Sequence, residues 1–290
     1  MITKIIHEDK IQKAHKYIEK GESFVIVTHV SPDGDAIGSA LGLFHFLNAY
    51  GKENVSVIVP NDYPNFLKWM PGTKDVTIYE KYPEFSEQLI SDADVIFCLD
   101  FNDPKRIEKL ADPVLKSEAR KVLIDHHLHP VEFCNVTMSY PNISSTSEMV
   151  FRFICRMGLF DLIDKNAAEC IYTGMMTDTG AFTYNSNHPE IYTIIGELIK
   201  LGIDKDLIYR RINQVYSEGR LRLMGYVLYE KMKVHHDMQA AMIALSVDEL
   251  NRFNYQTGDT EGFVNLPLSI EGVSFSVFIR EDSDYIKLSL

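Results

Sequence analysis

Cysteine is scarce in this chain and basic charge is outnumbered. The four cysteines (Cys98, Cys134, Cys155 and Cys170) are scattered, with no CxxC pair, and read as buried small hydrophobes in a reducing compartment. No apolar run approaches the ~18 residues needed to span a bilayer. The N-terminal stretch MITKIIHEDK carries no hydrophobic signal region. A cytoplasmic protein without a membrane partner is the expectation. Lys and Arg number 29 against 41 Asp and Glu, a net charge of −12. That balance excludes the basic face of a protein that coats long duplex nucleic acid. Short phosphorylated substrates stay within reach, because bound cations can supply positive charge locally.

What is present is an ordinary globular balance, 46% apolar and 24% charged, in a chain of 290 residues. That length exceeds the usual single domain, so two domains are expected. Short apolar runs at FVIVT (24–28), VSVIV (55–59), VIFCL (95–99) and KVLI (121–124) alternate with helix-period segments at 8–20, 36–50, 83–91, 145–157 and 165–177. Such alternation predicts an α/β domain over 1–187, a mostly parallel sheet with helices on both faces. Ser145 and Glu148 have capping-box spacing for the helix that follows. Residues 188–232 turn helical and charged, as a linker would. Residues 233–290 read as a smaller α+β domain, with VSFSVFIRE and DYIKLSL forming an antiparallel hairpin. The last run stops at Leu290 without a turn or cap, so this domain is expected to be incomplete.

The chemistry gathers where the strands give out. FVIVT leads into His29, Asp33 and Asp35; VIFCL into Asp100; KVLI into Asp125, His126 and His127. In an open parallel sheet these carboxyl ends share one edge, where such folds bind ligands. Any one of these acids alone reads as a turn residue or helix cap. Their coincidence at three strand ends points to a site. Several carboxylates with imidazoles and no thiolate suit hard or borderline divalent ions, Mn²⁺ or Mg²⁺ before Zn²⁺. So many carboxylates need cations to sit together, and their number implies two ions. Two metals ~3.5–4 Å apart are a recurring device for phosphoester hydrolysis. If strand geometry persists, His126 and His127 point opposite ways, one to ligate and one to face substrate or act as acid. Asp125 then braces an imidazole. The pair His235–His236 reads as surface, the small residues of PDGDAIGSALGL as packing of a helix on the sheet, and Arg210, Arg211, Arg220 and Arg222 as a solvated helix face.

Four stretches in order (THVSPDGDAIGSALGL, the aspartate of VIFCLDFND, VLIDHH and YTGMMTDTGAFTY) resemble the motifs of the DHH phosphoesterase superfamily over roughly residues 20–185. The later TEGFVNLPLSIEGVSFSVFIRE is similar to the DHH-associated domain of the nanoRNase branch, bifunctional oligoribonucleases and 3′-phosphoadenosine-5′-phosphate (pAp) phosphatases. The resemblance implies that His29, Asp33 and Asp100 bind one metal and that Asp35, Asp100, His126 and Asp178 bind the other, Asp100 bridging. His127 would contact the scissile phosphate. It implies Mn²⁺-dependent hydrolysis of short RNA to 5′-mononucleotides, dephosphorylation of pAp, and a homodimer. Members of the branch continue with an Arg-Ser pair and a GGGH segment that bind nucleotide, and this sequence has neither. Other phosphohydrolase activities of the superfamily, on cyclic or linear dinucleotides or pyrophosphate, and a non-catalytic nucleotide-binding role are the alternatives.

Overall fold

The computed structural model describes residues 4–214, 216–282 and 285–290. The chain divides into two compact units, Met1–Ile212 and Asn213–Leu290.

The first unit runs α1 (Glu8–Lys20), β1 (Ser23–Val27), α2 (Gly34–Ala49), β2 (Asn54–Val59), β3 (Val76–Ile78), α3 (Pro83–Ser91), β4 (Val95–Leu99), α4 (Ala111–Lys116), β5 (Arg120–Asp125), β6 (Val136–Ser139), α5 (Thr146–Arg156), α6 (Lys165–Asp178), α7 (Pro189–Lys200) and α8 (Lys205–Asn213). Its six strands pair in parallel in the order β3-β2-β1-β4-β5-β6. The strands are near-continuous apolar runs because both of their faces are covered. Alternate residues serve opposite layers: Phe24, Ile26, Phe97, Leu99 and Ile124 join the core shared with α1, α2, α5 and α6. Val25, Val27, Ile96, Cys98 and Leu123 join the core beneath α3 and α4. The α/β expectation therefore holds. The strand order reverses between β1 and β4, the position at which open sheets of this kind bind ligands beyond their carboxyl ends.

Two short edge strands, β3 and β6, were not foreseen. VTI and VTMS are too brief and too polar to stand out as apolar runs. The first part of the stretch expected as a linker belongs to the first unit. Ile191, Ile194, Leu198, Ile208 and Ile212 are buried in its core.

The glycines of PDGDAIGSALGL do serve packing, but of helix on helix. Gly34, Gly38 and Gly42 recur every four residues along α2 and face α6. A Cβ at Gly38 would lie 2.7 Å from the Cys170 carbonyl and 2.8 Å from the Gly174 nitrogen. One at Gly34 would overlap Thr177, and one at Gly42 would come within 2.7 Å of Ile171. The two backbones approach so closely only because these side chains are missing.

The second unit contains α9 (Glu218–Tyr226), β7 (Lys233–His235), β8 (Ala240–Leu245), α10 (Val247–Arg252), β9 (Phe275–Glu281) and β10 (Ile286–Ser289). Its sheet runs β10-β9-β8-β7, with β8 and β9 parallel. The expected antiparallel hairpin is β9–β10, pairing Ile286 with Glu281. Its core is small: Leu223, Val227, Ile243, Leu245, Leu250, Phe263 and Phe278. The expected arginine face is not one surface. Arg220 is buried, donating to the carbonyls of Gly258 (2.5 Å) and Glu261 (2.8 Å) and stacking over Tyr216. Arg211 stacks on Trp69, and only Arg222 makes an exposed helical pair, with Glu218. His235 and His236 are exposed, and neither falls in a cation-binding group among the described residues.

Candidate metal centre

Strand ends and helix ends converge at the β1/β4 switch point. β1 stops at Val27, and Thr28 and His29 follow. Asp33 caps α2: its Oδ1 accepts from the Asp35 and Ala36 amides at 3.0 Å each. That fixes Asp33 and leaves Oδ2 turned toward His29 Nε2, 3.9 Å away. Asp35 lies in the first turn of α2 and is fully buried. Asp100 immediately follows β4 with φ 66°, a left-handed backbone that a non-glycine residue adopts at a cost of roughly 1–3 kcal/mol. The turn re-aims its carboxylate across the strand ends.

The oxygens of Asp100 face two different imidazoles. Oδ2 is 3.4 Å from His29 Nε2 and Oδ1 is 3.6 Å from His126 Nε2. His126 Nε2 also lies 3.5 Å from Asp178 Oδ2 and 4.0 Å from Asp35 Oδ2. Both histidines are turned by backbone carbonyls. His29 Nδ1 meets Val30 O at 2.8 Å and His126 Nδ1 meets Ile143 O at 3.2 Å. A carbonyl only accepts, so each Nδ1 is the donor and each Nε2 is the nitrogen turned to the acids, able to ligate once it carries no proton. Among the described residues three groups could hold a cation: His29, Asp33 and Asp100; Asp35, His126 and Asp178; and Asp100, His126 and His127, which shares a member with each of the others.

His127 is held differently. Asp125, the buried last residue of β5, accepts from the His127 amide (Oδ2, 3.0 Å) and from its Nδ1 (Oδ1, 2.7 Å). The two imidazoles do not point opposite ways. β5 ends at Asp125, so strand alternation no longer applies, and the rings meet edge to face with centroids 4.8 Å apart.

The charges cannot balance internally. Burial, then the Asp100 charge, pushes Asp35 up to about 8. Burial, then Asp35, Asp100 and Asp33, pushes Asp178 up to about 10. Asp100 goes the other way. Burial disfavours its charge, but the His29 hydrogen bond and the neighbouring imidazoles outweigh that and hold it well below the usual carboxylate range. Burial likewise disfavours the His29 cation, yet Asp100 and Asp33 raise it to about 9. Four acids thus share too little positive charge, and two of them keep protons. Nitrogen and carboxylate oxygen donors without a thiolate, already drawn together, fit divalent cations.

Asp178 is the acid that strand ends alone do not supply. It closes α6 and is carried to the cluster by the glycine contact between α6 and α2. One signal was legible: an acid as the last residue of a helix, with no basic residue in that turn, opposes the helix dipole. Thr146 and Ser147 gave no signal, yet their amides donate to Asp35 at 2.6 and 2.8 Å. The Ser145–Glu148 capping box is half made. Ser145 accepts from the Glu148 amide, but Glu148 turns to Ser144 and to the buried Arg152.

Fold and donor set define an α/β protein with acids and imidazoles that could bind divalent cations gathered at the switch point of a parallel sheet. The chain belongs to the DHH family: residues 23–175 match the DHH family, N-terminal domain. It is 32% identical over 265 residues to the "Bifunctional oligoribonuclease and PAP phosphatase NrnA" of Thermus thermophilus, covering 91% of this chain and 74% of that protein. The protein of the same name from Bacillus subtilis is 24% identical over 273 residues, 92% of this chain and 80% of that one. Among solved structures, an exopolyphosphatase-related protein from Bacteroides fragilis is 59% identical with a TM-score of 0.94, covering 99% of this chain and 84% of that one.

Proposed function

We propose that this chain hydrolyses short oligoribonucleotides to 5′-mononucleotides and removes the 3′-phosphate of pAp, using two divalent cations, Mn²⁺ or alternatively Mg²⁺. The observation that carries the reading is Asp100, whose two oxygens face two separate histidine–aspartate groups. In this reading His29, Asp33 and Asp100 hold one cation, and Asp35, Asp100, His126 and Asp178 hold the other. The names of the Thermus and Bacillus relatives support the substrates. Bound cations would acidify a coordinated water and offset phosphoryl charge.

The chain's own groups do the rest. Asp125 accepts a hydrogen bond from Nδ1 of His127, so Nε2 of this half-exposed ring is left for the scissile phosphate or the leaving oxygen. Asp125 is fully buried, so the ring keeps that orientation. An acidic protein can act on an anionic substrate because the attraction is local to the cations. No described helix is long and apolar enough to cross a membrane. The four cysteines are free, which supports a reducing, cytoplasmic setting. A homodimer, implied by the family resemblance, completes the reading and is checked by sedimentation.

The test is turnover of a labelled diribonucleotide and of pAp with Mn²⁺, with Mg²⁺ and with EDTA. Cation-dependent release of mononucleotide and of phosphate is the expected result. Turnover that survives EDTA would exclude the cation role. Inactivity on both substrates alongside cleavage of polyphosphate or a cyclic dinucleotide would reassign the substrate and keep the centre.

A further inference from the structure

The threonines of α6 and its end satisfy their hydroxyls on carbonyls of the same helix. Along α6, Thr173 donates to Glu169 O (2.7 Å) and Thr177 to Thr173 O (3.0 Å); Thr179, just past the helix end, donates to Met175 O (2.7 Å). That is the usual resort of a helical hydroxyl. Thr146 departs from it. As the first residue of α5 it has no helical carbonyl one turn behind, and it is completely buried. Its Oγ1 donates to Asp100 Oδ1 at 2.8 Å, while its amide donates to Asp35 Oδ2 at 2.6 Å. One residue therefore grips an acid from the β4 end and an acid from the start of α2, two carboxylates that repel each other.

We infer that Thr146 is a positioning residue that fixes the rotation of the Asp100 carboxylate, one oxygen toward each cation pocket, and so sets how tightly the cation pair is held. This rests on the cation reading above. Rotation about the bond to a carboxylate is soft, with broad minima, so an aspartate has no intrinsic reason to hold its oxygens in a given plane. The arrangement needs a particular plane, with Oδ2 toward His29 and Oδ1 toward His126. The hydroxyl on Oδ1 supplies the restraint from the protein side and leaves both free edges turned to the imidazoles. Thr146 is itself restrained at the start of α5. Ser145 caps α5 by accepting the Glu148 amide at 3.0 Å, and a β-branched side chain has few rotamers. Hydrogen-bond partners of cation-ligating carboxylates typically change affinity ~10–100-fold when removed.

The test uses the full chain with Thr146→Val, which keeps the shape and the amide but loses the hydroxyl. Thr146→Ala serves as a second hydroxyl-free variant and Thr146→Ser restores the donor. Mn²⁺ affinity and stoichiometry are read by calorimetry and folding by circular dichroism. Val and Ala should weaken Mn²⁺ ~10–100-fold, with Ser close to the parent. The diribonucleotide KM should stay unchanged while kcat recovers as Mn²⁺ is raised. A folded Val or Ala variant that binds Mn²⁺ as tightly as the parent overturns the role of Thr146 alone. A parent that binds no Mn²⁺ overturns the cation reading and this role with it.

Discussion

Glu249 in the second unit and Asp178 in the first are both helix carboxylates, yet their surroundings push them in opposite directions. Glu249 Oε1 accepts from Tyr226 OH (2.5 Å) and Lys231 Nζ (2.7 Å), and Oε2 from the Ser246 amide (2.9 Å) in a complete capping box. Burial raises its pKa, but these donors outweigh burial and bring it to about 2. Asp178 has burial and three like charges, and stands at about 10. Glu249 is surrounded by donors, whereas Asp178 is left short of positive charge. A buried acid perturbed in that direction beside other acids and imidazoles is a candidate site residue.

The comparison breaks most sharply at Asp100. Asp100→Asn removes the charge that both histidine groups share, and turnover of the diribonucleotide should fall by ~10³-fold or more, on the scale of losing a principal electrostatic group. Circular dichroism should show an intact fold, and a folded variant with parental turnover would end the shared-carboxylate account. Next in size is the response to pH. Asp35 (about 8), Asp178 (about 10) and His29 (about 9) hold protons near neutrality in the cation-free protein. A binding cation must displace them. Mn²⁺ binding at pH 7 should therefore release protons, and affinity should rise, not fall, from pH 6 to 9, by up to ~10-fold per pH unit for each proton displaced. Calorimetry in buffers of different ionisation enthalpy measures the release, and pH-independent affinity would refute it.

Smaller still is Gly174→Ala. A Cβ there would overlap Ser147 Oγ and approach Asp35 Oδ1 to 2.8 Å. Overpacking of this kind costs ~1–3 kcal/mol, so thermal unfolding should move to lower temperature with Mn²⁺ affinity falling alongside. Unchanged affinity would show that Asp35 is not held through this contact. The least effect belongs to Glu249→Gln. The folded-state pKa of Glu249 is depressed, so its stabilisation is present above the ordinary value of 4.5 and is lost as pH falls toward 2. The variant should show a shallower loss of stability in that window and parental Mn²⁺ affinity. Altered affinity would mean the two acids are not independent.

Much of this was legible in the sequence, and the reasons differ by residue. Buried parallel strands announce themselves as unbroken apolar runs, so β1, β2, β4 and β5 stood out, and with them His29, Asp33, Asp35, Asp100 and the Asp125–His127 run at their ends. β3 and β6 did not, because an edge strand of three or four residues buries too little. Asp178 came through the family resemblance, since its place depends on how α6 crosses α2, a contact between helices far apart in the chain. Thr146 was hidden for a related reason: a threonine at a helix start is locally ordinary, and only the partner of its hydroxyl distinguishes it. The capping pattern Ser145–Glu148 did mark the start of α5, although the Glu148 carboxylate pairs with the buried Arg152 instead of closing the box.

The glycine row of α2 has a mechanical consequence. Gly34, Gly38 and Gly42 set α2 against α6 over eight residues, about 12 Å of helix. Asp35 and Asp178 sit at the jaw of that pair. The two helices work as a calliper: a wedge driven in at Gly42 would open the gap between two acids it never touches. The spacing of the two acids is thus written partly into a contact two turns away from them.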